Sequence, residues 1–158
     1  MPRYLFTILF LWSFEFSLAQ SVSGNWTSNL PASTITEAGS NYSSNWTSLT
    51  NQSVISMAAW LTNYTVRVKK IDGVWHSDLG LWIHKTSDRV GLLGSAAPSG
   101  NSTYFQLTAA DQVFFTTYTG VTLTGLPSFN IQYEIRGLSV TIPAQTYSTT
   151  IVYTISSP

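Results

Sequence analysis

The sequence predicts an all-β protein built as a single antiparallel β-sandwich. Apolar side chains recur with a period of two along most of the chain, while the 3.6-residue period of an amphipathic helix is nearly absent. The alternating stretches are short, follow one another at spacings of about 8–12 residues, and number about eight to ten, the rhythm of a sandwich or barrel. Turn chemistry separates them at Asp72-Gly73, Ser99-Gly100-Asn101 and Thr124-Gly125. The chain has 158 residues, enough for one domain at roughly 100–200 residues each.

The first segment lies outside that domain. Met1-Pro2-Arg3 supplies one basic side chain, and an apolar run follows from Tyr4 to Phe14. Ser17-Leu18-Ala19 then places small residues at the −3 and −1 positions of a cut before Gln20. This is the three-part pattern of a secretory signal peptide over residues 1–19, leaving residues 20–158 as the secreted domain. A membrane anchor would need about 20 apolar residues; Glu15 interrupts the run, and no later stretch reaches that length. The expected location is extracellular or cell-surface. The chain has no cysteine, which suits a bacterial envelope export route and excludes disulfide scaffolds, thiolate metal sites and cysteine nucleophiles.

From Gln20 to Leu30, strand alternation would place Val22, Trp26 and Leu30 on one face. Such a segment is either the domain's own first edge strand or an arm that completes a neighbour's sheet. Tyr64 to Lys70 buries Val66 and Val68 and exposes Arg67 and Lys69. Leu79 to Lys85 buries Leu79, Leu81 and Ile83. Ser102–Leu107 and Gln112–Tyr118 are two further strands rich in β-branched and aromatic residues. Between them Thr108-Ala109-Ala110-Asp111 has the spacing of a helix cap and predicts a single helical turn.

The clearest strand is Phe129 to Arg136. Phe129, Ile131, Tyr133 and Ile135 share the buried face, and Asn130, Gln132, Glu134 and Arg136 the polar one. Gly137 marks a turn, Leu138–Ile142 alternates again, and Pro143 ends that strand because it cannot donate to a ladder. The last strand, Thr146 to Ile155, sets Thr149, Ile151, Tyr153 and Ile155 on one side.

The stretch Ile142-Pro143-Ala144-Gln145-Thr146-Tyr147-Ser148-Thr149-Thr150-Ile151-Val152-Tyr153-Thr154-Ile155 resembles the C-terminal strand of secreted pilin-like domains of the spore coat protein U type. The resemblance implies an immunoglobulin-like sandwich acting as a subunit of a surface fibre or adhesin; members of that family usually carry cysteines, and this chain has none. Near the mature start, Gly24-Asn25-Trp26 is similar to the first strand of the avidin and lipocalin barrels, which makes an up-and-down β-barrel the alternative architecture.

Charged residues are only 9 % of the chain and the formal net charge is zero. Nucleic-acid and polybasic membrane-surface binding both need a positive field, so neither is expected. The densest titratable run is Asp72-Gly73-Val74-Trp75-His76-Ser77-Asp78, with His84 beyond it. It contains no nucleophile elbow and no paired acids in a catalytic frame, and it reads as a polar turn in which His76 and Asp78 satisfy backbone groups. The carboxylate spacing does not make a calcium loop, and two histidines alone make a poor zinc set. No catalytic residue, metal or cofactor is therefore expected.

The aromatic residues carry more information. Trp26, Trp46, Trp60, Trp75 and Trp82 all lie in the mature chain. With Leu79, Leu81 and Ile83 facing the core, Gly80, Trp82 and His84 take the outer face. A tryptophan beside a glycine can there stack on a sugar ring or a partner aromatic. Trp82, His84 and Trp75 are the candidate ligand-binding residues. Six Asn-x-Ser/Thr motifs begin at Asn25, Asn41, Asn45, Asn51, Asn63 and Asn101, candidate glycan sites in a eukaryotic secretory route, although a chain this rich in Ser and Thr meets the pattern often by chance. Together these features predict a non-enzymatic secreted or cell-surface structural or adhesive protein. Its expected partners are further copies or surface-fibre proteins, favoured by the near-zero net charge. The alternative is an extracellular carbohydrate-binding module using exposed tryptophan, with a glycan as its partner.

Overall fold

In the computed structural model, the described residues are 20–30, 35, 37, 40–42, 45–57, 62–87, 100–119 and 127–157. Among them the chain forms nine strands and no helix: β1 (Ser21–Ser23), β2 (Asn45–Thr47), β3 (Ser53–Ser56), β4 (Thr62–Asp72), β5 (Gly80–Lys85), β6 (Phe105–Gln106), β7 (Gln112–Thr119), β8 (Ser128–Arg136) and β9 (Thr149–Ser156). They make two antiparallel sheets. The larger has the order β1-β3-β8-β5-β6, with β2 also on β8, and the smaller has the order β7-β4-β9. No ladder joins the two sheets among the described residues, and neighbours in the large sheet are distant in sequence. A sandwich has this arrangement; a closed up-and-down barrel does not. The expected signal peptide over residues 1–19, Trp60 and the expected turn at Thr124-Gly125 lie outside the described residues.

β8 is the spine of the large sheet. β3 pairs with it along Ser128–Ile131, and β2 along Glu134–Arg136. β2 and β3 thus lie along the same edge of β8, interrupted between Thr47 and Ser53. Ser48 bridges the interruption: its amide donates to the Tyr133 carbonyl at 2.9 Å, and its hydroxyl accepts from the Tyr133 amide at 2.9 Å. β5 covers the opposite edge of β8.

Period-two alternation turns one row of each strand inward. Ile55, Leu81, Ile83, Phe129, Ile131 and Tyr133 of the large sheet meet Tyr64, Val66, Val68, Phe114 and Phe115 of the small one, all buried. Phe115 and Phe129 touch across the interface with ring centroids 4.9 Å apart. Each such side chain contributes about 1.5–3 kcal/mol by leaving water.

Two consecutive phenylalanines face inward because β7 carries a bulge. The ladder with β4 pairs Val66 with Phe115 but Arg67 with Val113, leaving Phe114 as the extra residue. Asn101 secures it, with its side-chain amide donating to the Phe114 carbonyl at 2.6 Å. The Asn101 carbonyl accepts from the Lys85 amide at 3.0 Å, so one residue ties the bulge of the small sheet to β5 of the large one. It does so from a left-handed backbone conformation, φ +43°, which asparagine tolerates better than most side chains.

A polar thread crosses the core. The Tyr133 hydroxyl donates to Ser53 Oγ at 2.8 Å and lies 3.0 Å from the Tyr153 hydroxyl on β9. Burial pushes both phenols above their ordinary value, Tyr153 far above it. Trp26 stacks on Tyr133 at 6.3 Å.

The structure corrects four local expectations. Leu138–Ile142 is a turn, closed by the Ile142 amide on the Ser139 carbonyl at 3.1 Å, and Val140 is exposed. β8 ends because Gly137, at φ +84°, passes so close to Asp78 that a Cβ would lie 2.0 Å from its carbonyl oxygen. Alternation alone supplied no neighbouring strand for the residues that follow. Thr108–Asp111 is no helical turn: Thr108 Oγ1 accepts from the Ala110 amide at 3.2 Å, and Asp111 pairs with Arg67 instead of capping. The N-terminal segment pairs as the domain's own edge strand, the first of its two expected roles, with β1 on β3. It ends at Gly24, φ +106°, so Val22, Trp26 and Leu30 do not share one strand face. Finally, β6 is only two residues long and β9 starts at Thr149.

Candidate functional site: the outer face of the large sheet

On β5 the inward row is Leu81, Ile83 and Lys85, so Gly80, Trp82 and His84 point outward. The antiparallel register sets Trp82 opposite Glu134 and His84 opposite Gln132 on β8, and Trp82 opposite Gln106 on β6. Tyr104, just before β6, completes the group. Two of the expected residues, Trp82 and His84, therefore share one surface, as the alternation implies.

The Arg136 guanidinium lies over the Trp82 ring at 3.9 Å from its centroid and 5.8 Å from that of Tyr104. Such cation–π contacts are worth about 0.5–2 kcal/mol. Arg136 Nε also donates to Glu134 Oε1. Glu134 belongs to the outward row, yet the residue is only 5 % exposed, with Trp82 beside it and Arg136 paired to it. A carboxylate this dry needs its partner cation. Burial pushes the Tyr104 phenol above its ordinary value; the charge of Glu134 adds to the rise and Arg136 opposes it. The ring of Trp82 leans over Gly80, where a Cβ would lie 3.0 Å from the indole nitrogen.

His84 is held on both sides. Its Nδ1 is 3.2 Å from the Ser102 carbonyl and its Nε2 is 2.9 Å from Gln132 Oε1, while its ring lies against Tyr104 at 4.0 Å. Gln132 Nε2 donates to the Ser48 carbonyl at 2.8 Å, which fixes the amide with its oxygen toward the histidine. Both imidazole nitrogens are thus engaged, one by a backbone carbonyl and one by a side-chain amide. His84 acts here as a pin between β5, β8 and the residues before β6.

Trp75 stands apart. Its indole nitrogen donates to the Leu79 carbonyl at 2.8 Å, its ring packs against the core, and Lys70 Nζ lies 5.2 Å from its centroid. The run around it forms a turn: His76 Nδ1 accepts from the Asp78 amide at 3.2 Å, and the Leu79 amide donates to the His76 carbonyl at 3.1 Å. Among the described residues no three His, Cys, Asp or Glu side chains gather as a metal site. Also among them, no helix is long and apolar enough to cross a membrane.

Sequence reasoning missed Tyr104, Glu134 and Arg136 as members of this surface. Glu134 and Arg136 were visible as the polar row of the best strand, but only the register against β5 brings them to Trp82. No protein-family model, curated protein or solved structure matches this chain.

Proposed function

We propose that this protein is a secreted, non-enzymatic β-sandwich that serves as a structural or adhesive subunit at a cell surface and associates with further copies of itself. The observation that carries this reading is β9. It is an edge strand of the small sheet, and its eight residues, Thr149–Ser156, contain neither a charge nor a proline. Edges of soluble proteins are normally guarded by such residues, by bulges or by a covering element. The other edge of that sheet, β7, carries the Phe114 bulge, whereas β9 pairs with β4 from Thr149 to Ser156 without a register shift.

A second copy fits this edge. Two-fold antiparallel pairing centred between Val152 and Tyr153 would fuse two three-stranded sheets into one of six, and a chain of zero net charge offers little repulsion to oppose it. The test is sedimentation of the full chain, secreted with its own leader, across a concentration series. Self-association that disappears in Thr150→Lys/Thr154→Lys, with an unchanged circular dichroism spectrum, supports the reading. Both positions are exposed. A wild type that stays monomeric at every concentration overturns it.

The outer surface favours a second reading, carbohydrate binding at Trp82, Tyr104 and His84. Arg136 covers one face of the indole, so a sugar would use the remaining aromatic surface with Gln106 as a polar neighbour. Glycan-array binding that is lost in both Trp82→Ala and Tyr104→Ala would favour it over self-association.

A further inference from the structure

The chain has eight asparagines, and six of them (Asn25, Asn41, Asn45, Asn51, Asn63 and Asn101) precede a serine or threonine by two positions with no proline between. Ser and Thr make up 43 of the 158 residues, so random placement gives about two such asparagines out of eight. The abundance of hydroxyl side chains does not account for six.

The fold treats the six positions in two ways. Asn25, Asn41, Asn45, Asn51 and Asn63 are all exposed. In β2 and β4 the motif reads outward, inward, outward. Trp46 is half-buried between exposed Asn45 and Thr47, and Tyr64 is buried between exposed Asn63 and half-buried Thr65. The side-chain amides of Asn25, Asn45, Asn51 and Asn63 donate to no other group among the described residues. Asn41 accepts through Oδ1 from the Tyr42 and Val140 amides at 2.9 and 3.0 Å, and its Nδ2 meets no partner among the described residues. Asn101 is different: it is half-buried, and its Nδ2 is the atom that holds the Phe114 carbonyl.

We infer that Asn25, Asn41, Asn45, Asn51 and Asn63 carry N-linked glycans and that Asn101 does not. In the reaction the asparagine Nδ2 bonds to the anomeric carbon of a lipid-pyrophosphate-linked oligosaccharide. The lipid pyrophosphate leaves with the bonding pair and the amide gives up one proton. The inference rests on the secreted reading above, because that donor is met in a secretory lumen. The five sites lie on or beside β1, β2, β3 and β4, and none lies on β9. Asn45, opposite Arg136 in the ladder, would root a glycan on the flank of the Trp82 surface.

The test is secretion of the full chain from a eukaryotic host, followed by treatment with peptide N-glycosidase, which converts each glycan-bearing asparagine to aspartate, and mass mapping of each site. Conversion at the five positions with Asn101 intact is expected. Replacing the five with glutamine should collapse the glycoform ladder to one band, and Thr103→Ala, which removes the motif at Asn101 but keeps its side chain, should leave the ladder unchanged. Secreted folded protein with all five asparagines unmodified overturns this inference alone, as does a glycan on Asn101. A chain retained unmodified in the cytosol overturns the secreted reading and this inference with it.

Discussion

Replacing Asn101 by alanine should be among the most damaging changes outside the apolar core, and its cost can be divided into terms. The side chain donates one short bond to the carbonyl of Phe114, the residue left without a ladder partner by the bulge. Losing that donor leaves a buried carbonyl unsatisfied, which costs about 1–3 kcal/mol. The backbone at φ +43° adds about 1 kcal/mol more for alanine, which lacks asparagine's tolerance of that region. The sum is about 2–4 kcal/mol, a large share of the roughly 5–15 kcal/mol that holds a typical domain together. Asn101→Gly separates the terms: it loses the bond but not the backbone freedom, so it should be about 1 kcal/mol less destabilising than Asn101→Ala. Equilibrium urea unfolding of the two variants and the wild type measures both differences, provided the slopes agree. If Asn101→Ala unfolds within about 0.5 kcal/mol of wild type, the usual range for a neutral surface change, the bulge does not depend on this residue. Equal costs for alanine and glycine would refute the backbone part of the reasoning.

Two further outcomes follow from the polar groups. Tyr133 and Tyr153 bind their protons more tightly folded than unfolded, so their contribution is complete below the ordinary phenol value of 10.0 and is lost as pH rises above it. Buried Lys85, lowered from 10.5, acts in the opposite sense, so phenolate absorbance is the cleaner readout than stability. Phenolate signal from these two residues should appear only with unfolding, and Tyr153→Phe should remove its share; early, reversible ionisation in the folded state would contradict the buried pair. On the outer face, Arg136→Met should cost about 2–4 kcal/mol by stranding the Glu134 carboxylate, and Glu134→Gln in the same chain should restore part of that. A double-mutant cycle with no coupling would show that the two side chains are independent.

Much of this fold is legible in the sequence because a strand's burial pattern is local. Phe129, Ile131 and Tyr133 are buried while Asn130 and Gln132 stay half-exposed, and the same logic places Val66, Val68, Leu81 and Ile83 correctly. It also places Trp82 and His84 on one outer face. What tertiary structure alone decides is which strands are neighbours. Leu138–Ile142 alternates as well as any strand but has no neighbour to pair with among the described residues, and short β2 and β3 become strands because β8 offers them an edge. The Phe114 bulge is tied to Asn101, 13 residues earlier, and the burial of Glu134 follows the register between β5 and β8. Side-chain direction is set within a few residues by backbone geometry, whereas pairing and register are set by contacts between segments far apart in the chain.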